Sequence, residues 1–497
     1  MNEKSIYQKI KEAGSHTIIY GIGSVLQSAL GFLLIPLYTR SFTTEMYGIF
    51  SLITVCGSLA GVIFYLGASS ALARSYYDYD DLDERKKVVS TTLYLTLAGA
   101  TIQCILGFAL GQHLSLWLFK TSAYSLHIGL ALVASAFTFI NTLFYMLLRF
   151  ERLSKQVVII NLVSVTLSSL LIIWFLVGLK AGVMAPILGG LLTQVVVSIV
   201  LFTIIRKNIV LGYSPKELKI QIPFGAQAVI IGMAYYSFDW LNRYFINKHG
   251  SLSDVGIYAL GYQIGMVINI LLIFPFGQIW APMRMQYRND KNADEFYKKM
   301  LTYYFLLGII LTAIISVFSR EIITIVAGKK EYVDSCRVVP LVMFGMMMYG
   351  AVNIIDNGIY FSRKVIYHAY IFWFTSFVSC ALNYFIVPRY GYVGASAVIL
   401  TCYCTVFCLV FVISNNLYKI PYEGKRLFIL FTVGISTILL GNMLVFSTVA
   451  LAVTVKTFLV STMFLVIYCF VLSFDEKKKI AQLIGGVRLA TASSYEP

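Results

Sequence analysis

Asp239 and Arg243 stand four residues apart in Ser237-Phe238-Asp239-Trp240-Leu241-Asn242-Arg243-Tyr244, within an apolar stretch long enough to cross a bilayer. A charge there costs roughly 2.5 to 3.5 kcal/mol on insertion scales, so each such residue is a candidate for function. The i,i+4 spacing puts both on one helical face, where they pair or jointly face a cavity; a purely structural ion pair is the alternative. Asn242, Tyr235 and Tyr236 add polar groups to the same helix. Asp356, between Asn353 and Asn357, is the second intramembrane acid, with a helix-to-helix hydrogen bond as its alternative role. Asp239 and Asp356 are the candidates for coupling to an ion.

Arg40, Arg74, Arg149 and Arg284 close helical stretches. Such residues either anchor helices to lipid headgroups or turn inwards, where a guanidinium fork grips a diphosphate bidentately. Gln27, Asn141, Asn161, Gln194, Gln227, Gln263, Asn269 and Asn383 supply neutral groups suited to sugar hydroxyls, and equally to packing between helices. Asp78-Tyr79-Asp80 has the Asp-x-Asp spacing with which many glycosyltransferases hold a divalent cation and a sugar diphosphate, but it lies in an acidic stretch that a solvated loop explains. There is no Gly-x-x-x-x-Gly-Lys-Ser/Thr loop, so ATP hydrolysis by that route is excluded. Energy would come from an ion gradient, the membrane potential or a partner. Cys402, Cys404 and Cys408 share no single face and have no His or carboxylate beside them, so they read as small packing residues, and no metal or cofactor is expected.

The elements that must position these residues are membrane helices. Hydrophobic residues make up 59% of the 497, charged residues 12%, and mean hydropathy is +0.79. A water-soluble domain of this size could not hold that composition. A spanning helix takes about 20 apolar residues, and the chain reads as about fourteen of them, an all-α integral membrane protein. The first run, Thr17 to Tyr38, is long enough to span and reads as a retained helix rather than a signal peptide. From a cytoplasmic N-terminus, 28 of the 39 Lys and Arg fall on the inner side and 10, Lys456 among them, outside, with Arg243 within a helix. That bias predicts an even number of spans with both termini cytoplasmic. The net charge of +16 is spread over short loops, which points away from nucleic acid as a partner.

The chain repeats itself. At a shift of 208, Thr44-Glu45-Met46-Tyr47-Gly48-Ile49-Phe50-Ser51-Leu52 faces Leu252-Ser253-Asp254-Val255-Gly256-Ile257-Tyr258-Ala259-Leu260. At a shift of 212, Ala181-Gly182-Val183-Met184-Ala185 faces Val393-Gly394-Ala395-Ser396-Ala397. The expected organisation is a six-helix lobe over 1–210, a second over 211–415, an extra helix pair over 416–475 and a cytoplasmic tail over 476–497. Six spans insert twice in one orientation, so the lobes should be related by an axis along the membrane normal, with a cleft between them.

Leu30-Gly31-Phe32-Leu33-Leu34-Ile35-Pro36-Leu37-Tyr38-Thr39-Arg40, Tyr47-Gly48-Ile49-Phe50-Ser51-Leu52 and Tyr390-Gly391-Tyr392-Val393-Gly394-Ala395-Ser396-Ala397 resemble the polysaccharide flippases. These belong to the superfamily of multidrug, oligosaccharidyl-lipid and polysaccharide exporters. The resemblance covers nearly the whole chain through framework motifs. It implies a V-shaped bundle of two six-helix lobes around a polar, often cationic cavity. It further implies movement of an undecaprenyl-diphosphate-linked oligosaccharide from the cytoplasmic to the outer leaflet of the inner membrane. In the related peptidoglycan lipid flippases the two extra helices form a groove for the lipid tail. The Arg-Asp pair those relatives carry midway along helix 1 is missing here, so their coupling residues do not transfer. Substrate contacts are expected from Arg243 with Asn242, then Arg40, Arg74 and Arg284. Expected partners are the lipid-linked glycan, membrane lipids, and the polysaccharide polymerase and glycosyltransferases that handle the same glycan.

Two other readings stay open. An organic-cation extruder of the same architecture should have a cavity dominated by carboxylates and aromatics, whereas the candidates here include at least as many Arg as Asp. A membrane glycosyltransferase normally carries a large loop for its catalytic groups, and none here exceeds about 20 residues.

Overall fold

The computed structural model describes residues 30–478 apart from 289, 291, 445, 447 and 475. Gln27, most of the expected first helix and the tail beyond 478 lie outside the described residues. The described chain is helical throughout, without a strand. Its helices are α1 (Leu34–Ser41), α2 (Thr44–Phe64), α3 (Ala68–Ser75), α4 (Leu82–Phe119), α5 (Ser125–Phe150), α6 (Ser154–Ile173) and α7 (Met184–Ile205). There follow α8 (Pro215–His249), α9 (Leu252–Gly265), α10 (Phe274–Gln286), α11 (Ala293–Val317), α12 (Ser319–Ala327), α13 (Val339–Ile355) and α14 (Asn357–Phe361). The last are α15 (Ile366–Leu417), α16 (Gly424–Met443) and α17 (Val449–Val466).

With their continuations, 11 of these are long and apolar enough to cross a membrane. Three points account for the difference from the expected fourteen. The first helix is described only from residue 30. The long α8 is too polar to qualify by composition, with Gln221, Gln227, Tyr235 and Tyr236 ahead of Asp239 and Arg243. The expected eleventh and twelfth helices run together as α15, 52 residues long, whose direction changes at Gly391. That residue has φ 54° and ψ −139°, a conformation glycine adopts without strain, and Pro388 precedes it.

Local sequence sets where the helices start. Thr43 caps α2 by accepting from the Met46 amide, and Asp81 caps α4 by accepting from that of Glu84. Ser214 caps α8, with Pro215 in its first turn. Ser251 and Asp254 form a capping box on α9.

The first half packs α5 against α2, α4 and α7, with α6 on the outside of α7. Leu72, Val88, Leu143, Leu147 and Leu201 form a buried apolar cluster at one end of it. In the second half α13 is central, against α9, α11 and α15. The long α8 belongs to both, lying on α15 and also on α2, α3 and α4. Across the halves, α2 and α9 cross where Gly48 and Gly256 meet. That crossing is reinforced by the Thr44 and Ser253 hydroxyls, 2.6 Å apart.

The extra pair docks α16 on α11 and α17 on α16. Lys456, assigned above to the outer connection, is instead 2% exposed within α17. Its ammonium donates to both Glu321 carboxylate oxygens at 2.7 and 2.9 Å, and that neutralisation lets a lysine sit among apolar side chains. At the pair's other end Arg426 bridges Glu423 (3.1 Å) and Glu476 (2.8 Å), and Glu476 also accepts from the Tyr303 hydroxyl at 2.8 Å.

Candidate functional site

Arg243 is buried where α8 passes α2 and α9. One guanidinium nitrogen pairs with the Asp239 carboxylate a turn earlier. Its Nε donates to Ser51 Oγ at 2.7 Å, which joins the two halves through a charged hydrogen bond. The ring centroids of Tyr262 and Tyr258 lie 4.9 and 5.4 Å from the guanidinium carbon, within cation–π range. The Asp239 side chain keeps 26% of its surface exposed, against 7% for that of Arg243. The carboxylate is therefore the more accessible member of the pair. Asn242 turns away from it. Its amide nitrogen donates to the Tyr258 hydroxyl at 3.0 Å, and its oxygen accepts from Asn383 at 2.9 Å. Asn242 thus fixes α8 against α9 and α15 and holds the helix that presents Arg243.

Arg284 and Asp356, read separately in the sequence, meet in a second buried pair at 2.5 Å. Asp356 occupies the break between α13 and α14, and the imidazole Nε2 of His368 at the start of α15 lies 3.5 Å from its other oxygen. The Arg284 guanidinium carbon sits 3.9 Å from the Tyr360 ring centroid. The carbonyl of Asn353 accepts from Trp280 Nε1 at 2.6 Å, fixing the turn before Asp356. Nothing in the spacing of Arg284, Asp356 and His368 revealed this convergence, because three helices separated by loops bring them together.

The remaining arginines do not join either cluster. Arg40 is exposed at the end of α1 beside Gly328. Arg74 is exposed at the end of α3, its guanidinium carbon 5.0 Å from the Phe224 ring centroid on α8. In the Asp-x-Asp segment, Asp78 and Asp80 are exposed, while the Tyr79 hydroxyl donates to the buried Glu217 at 2.8 Å. That contact ties the loop to the start of α8.

Sequence reading missed a cavity of about 540 Å³, with hydroxyls set among mainly apolar walls, bounded by α2, α5, α7 and Tyr236 of α8. Thr54, Ser58, Ser135, Thr138, Thr142 and Gln194 line it. The available signal was the recurrence of hydroxyls at i and i+4 within apolar stretches: Thr54 and Ser58 on α2, Thr138 and Thr142 on α5. A second, apolar cavity of about 340 Å³ lies beside the extra pair. Phe344, Leu400, Ile435, Ile438 and Leu439 form its walls, and Arg337 and Asn442 are its polar members.

The profile of the family described as polysaccharide biosynthesis protein matches residues 13–288, more than half of the chain. The chain belongs to this family. Solved structures give this polysaccharide biosynthesis protein its fold relatives. The structure titled "Lipid II flippase MurJ, inward closed conformation" superposes with a TM-score of 0.71 at 16% identity, over 91% of this chain and 99% of that one. A multidrug resistance MATE family transporter of the MOP superfamily, inward-facing, superposes with a TM-score of 0.61 at 16% identity, over 82% of this chain and 96% of that one. An outward-facing MATE structure gives 0.57 at 18% identity, over 82% and 95%. No curated protein matches by sequence. The expected fold class therefore stands: a multi-pass, all-α membrane protein with the fold of these solved transporters.

Proposed function

We propose that this protein is a flippase that carries an undecaprenyl-diphosphate-linked oligosaccharide from the cytoplasmic to the outer leaflet of the inner membrane. The observation that carries the reading is the apolar groove beside the extra helix pair, in a chain of the polysaccharide biosynthesis family. A groove walled by Phe344, Leu400, Ile435 and Leu439 suits a polyprenyl tail, and Arg337 at its rim suits the diphosphate end. The fold likeness to the lipid flippase spans 91% of the chain, against 82% for the multidrug transporters.

The lobes are 1–210 and 211–415, with the pair at 416–475 and both termini cytoplasmic. Alternating access parts and rejoins them at the crossing of α2 and α9, whose contact closes the outer end under the expected topology. Arg243 is the diphosphate anchor in the cleft. A phosphate oxygen competes with Asp239 for the guanidinium, and the released carboxylate takes up the coupling ion. Arg40 and Arg74 guide the headgroup at the two ends of the path. Arg284 and Asp356 form a second charge pair whose rearrangement accompanies the change of state. The extruder reading is weaker, because Asp239 and Asp356 each already face an arginine instead of standing free for a cation. The test is deletion in the host followed by analysis of lipid-linked intermediates. A completed oligosaccharide accumulating on undecaprenyl diphosphate, with surface polymer lost, is the expected result; normal polymer with no accumulation would refute the reading.

A further inference from the structure

In the cavity between α2, α5, α7 and Tyr236, as elsewhere on these helices, the threonine and serine protons are already used within the helix. Thr54 donates to the Phe50 carbonyl at 2.8 Å, Ser58 to that of Thr54 at 3.1 Å, Thr138 to Ala134 at 2.9 Å and Thr142 to Thr138 at 2.9 Å. Each hydroxyl has one proton and two acceptor sites, so what these four present to the cavity is acceptor capacity. These acceptors, set among apolar side chains, suit a ligand that brings O–H and N–H donors together with an apolar face. They are a poor match for a phosphate or carboxylate, which only accepts.

The amide donor in the cavity is Gln194, and its orientation is fixed. Asn141 Nδ2 donates both to the Gln194 backbone carbonyl at 3.0 Å and to its side-chain Oε1 at 2.8 Å, while Ser198 donates to Asn141 Oδ1 at 2.7 Å. A backbone carbonyl only accepts, so the Asn141 amide orientation is settled, and with it that of Gln194. Gln194 Oε1 therefore faces Asn141, and its NH₂ is left as a donor without a partner among the described residues. Among the described residues none that lines the cavity is charged, so a charged sugar would sit there without a counter-ion from them. The volume of about 540 Å³ lies within the range of small-molecule sites. Tyr236 precedes Arg243 by seven residues on α8, so cavity and guanidinium are about 10 Å apart along the helix.

We propose that this cavity is the saccharide subsite of the transport path and that it takes uncharged sugars carrying an N-acetyl group. Sugar hydroxyls donate to the threonine and serine oxygens, and the acetamido carbonyl accepts from Gln194 Nε2. The proposal rests on the flippase reading and adds the class of sugar.

The test uses the full-length protein in nanodiscs and three probes. They are undecaprenyl diphosphate alone, the same lipid bearing an N-acetylhexosamine disaccharide, and the same lipid bearing a disaccharide of hexuronic acid. Wild type is expected to bind the N-acetylated probe at least about tenfold more tightly than the other two. Gln194→Leu, and separately Thr54→Val with Thr138→Val, should remove that preference while leaving affinity for the bare lipid unchanged; Thr138→Ser should keep it. Equal binding of all three probes by wild type would overturn the subsite and leave the flippase reading intact, as would variants that weaken bare and glycosylated lipid alike. Failure of wild type to bind any of the three would overturn both.

Discussion

Gly48 and Gly256 lie backbone to backbone at the crossing of α2 and α9. A Cβ on Gly48 would stand 2.0 Å from the Leu252 carbonyl oxygen, and one on Gly256 would stand 1.9 Å from that of Thr44. The contact is its own image: 48 and 44 become 256 and 252 under the repeat shift of 208. Glycine is required because any side chain would replace a backbone contact with a clash. Helices that meet at such a point can separate as units, which suits a gate.

Holding that gate shut should stop transport. The Thr44 and Ser253 hydroxyls are 2.6 Å apart, close enough for their cysteine replacements to join. Thr44→Cys with Ser253→Cys is expected to abolish glycan export under oxidising conditions and to regain it on reduction. Either single replacement should stay active. Export that continues in the oxidised double variant, with the cross-link shown by mass spectrometry, would mean that these helices do not part.

Arg243 separates a structural pair from a working one. Arg243→Ala should abolish surface polysaccharide while the protein remains in the membrane. Removing one partner of a buried pair destabilises by about 3–5 kcal/mol, so thermal unfolding of the purified variant must be measured beside export. Asp239→Ala with Arg243→Ala relieves the unpaired charge and should recover stability without recovering export. Recovery of both would reduce the pair to packing.

At the second pair, Asp356→Asn leaves Arg284 without its counter-charge in a buried site and should lower stability by about 3–5 kcal/mol. Arg284→Met combined with Asp356→Leu should lose much less. The measurement is thermal unfolding in one detergent. A single variant as stable as wild type would show that the contact carries no net energy.

Acid should loosen the extra pair. Burial pushes the Glu476 carboxyl up, but the Ser473 amide, the Tyr303 hydroxyl, Arg426 and the Ser473 hydroxyl outweigh it and hold the group at about 2, against an ordinary 4.5. The folded value is the lower one, so the contribution is complete above about pH 4.5 and is lost as pH falls towards 2. Glu476→Gln should therefore melt below wild type near neutrality, with the gap closing in acid. A gap that stays constant with pH would contradict this role.

Legibility in the sequence followed the length scale of the interaction. Apolar runs and the i,i+4 relation of Asp239 to Arg243 are local, and each appears in the structure. Lys456 reads as a loop charge because its partner Glu321 is 135 residues away. Arg284, Asp356 and His368 cannot be joined without knowing that α10, the α13–α14 break and α15 converge. Asn242 reads as a cleft residue by its place beside Arg243, yet the helical rotation of about 100° per residue turns it towards Tyr258 and Asn383.

The central claim is movement of a lipid-linked glycan between leaflets, and reconstitution tests it most directly. Purified protein in liposomes that hold undecaprenyl-diphosphate-linked oligosaccharide in one leaflet, with an ion gradient or a membrane potential imposed, should deliver the headgroup to the other, where an impermeant glycosidase cleaves it. Arg243→Ala liposomes should resemble protein-free ones. A wild-type protein that leaves the headgroup protected under either driving force, at the level of empty liposomes, would contradict the account.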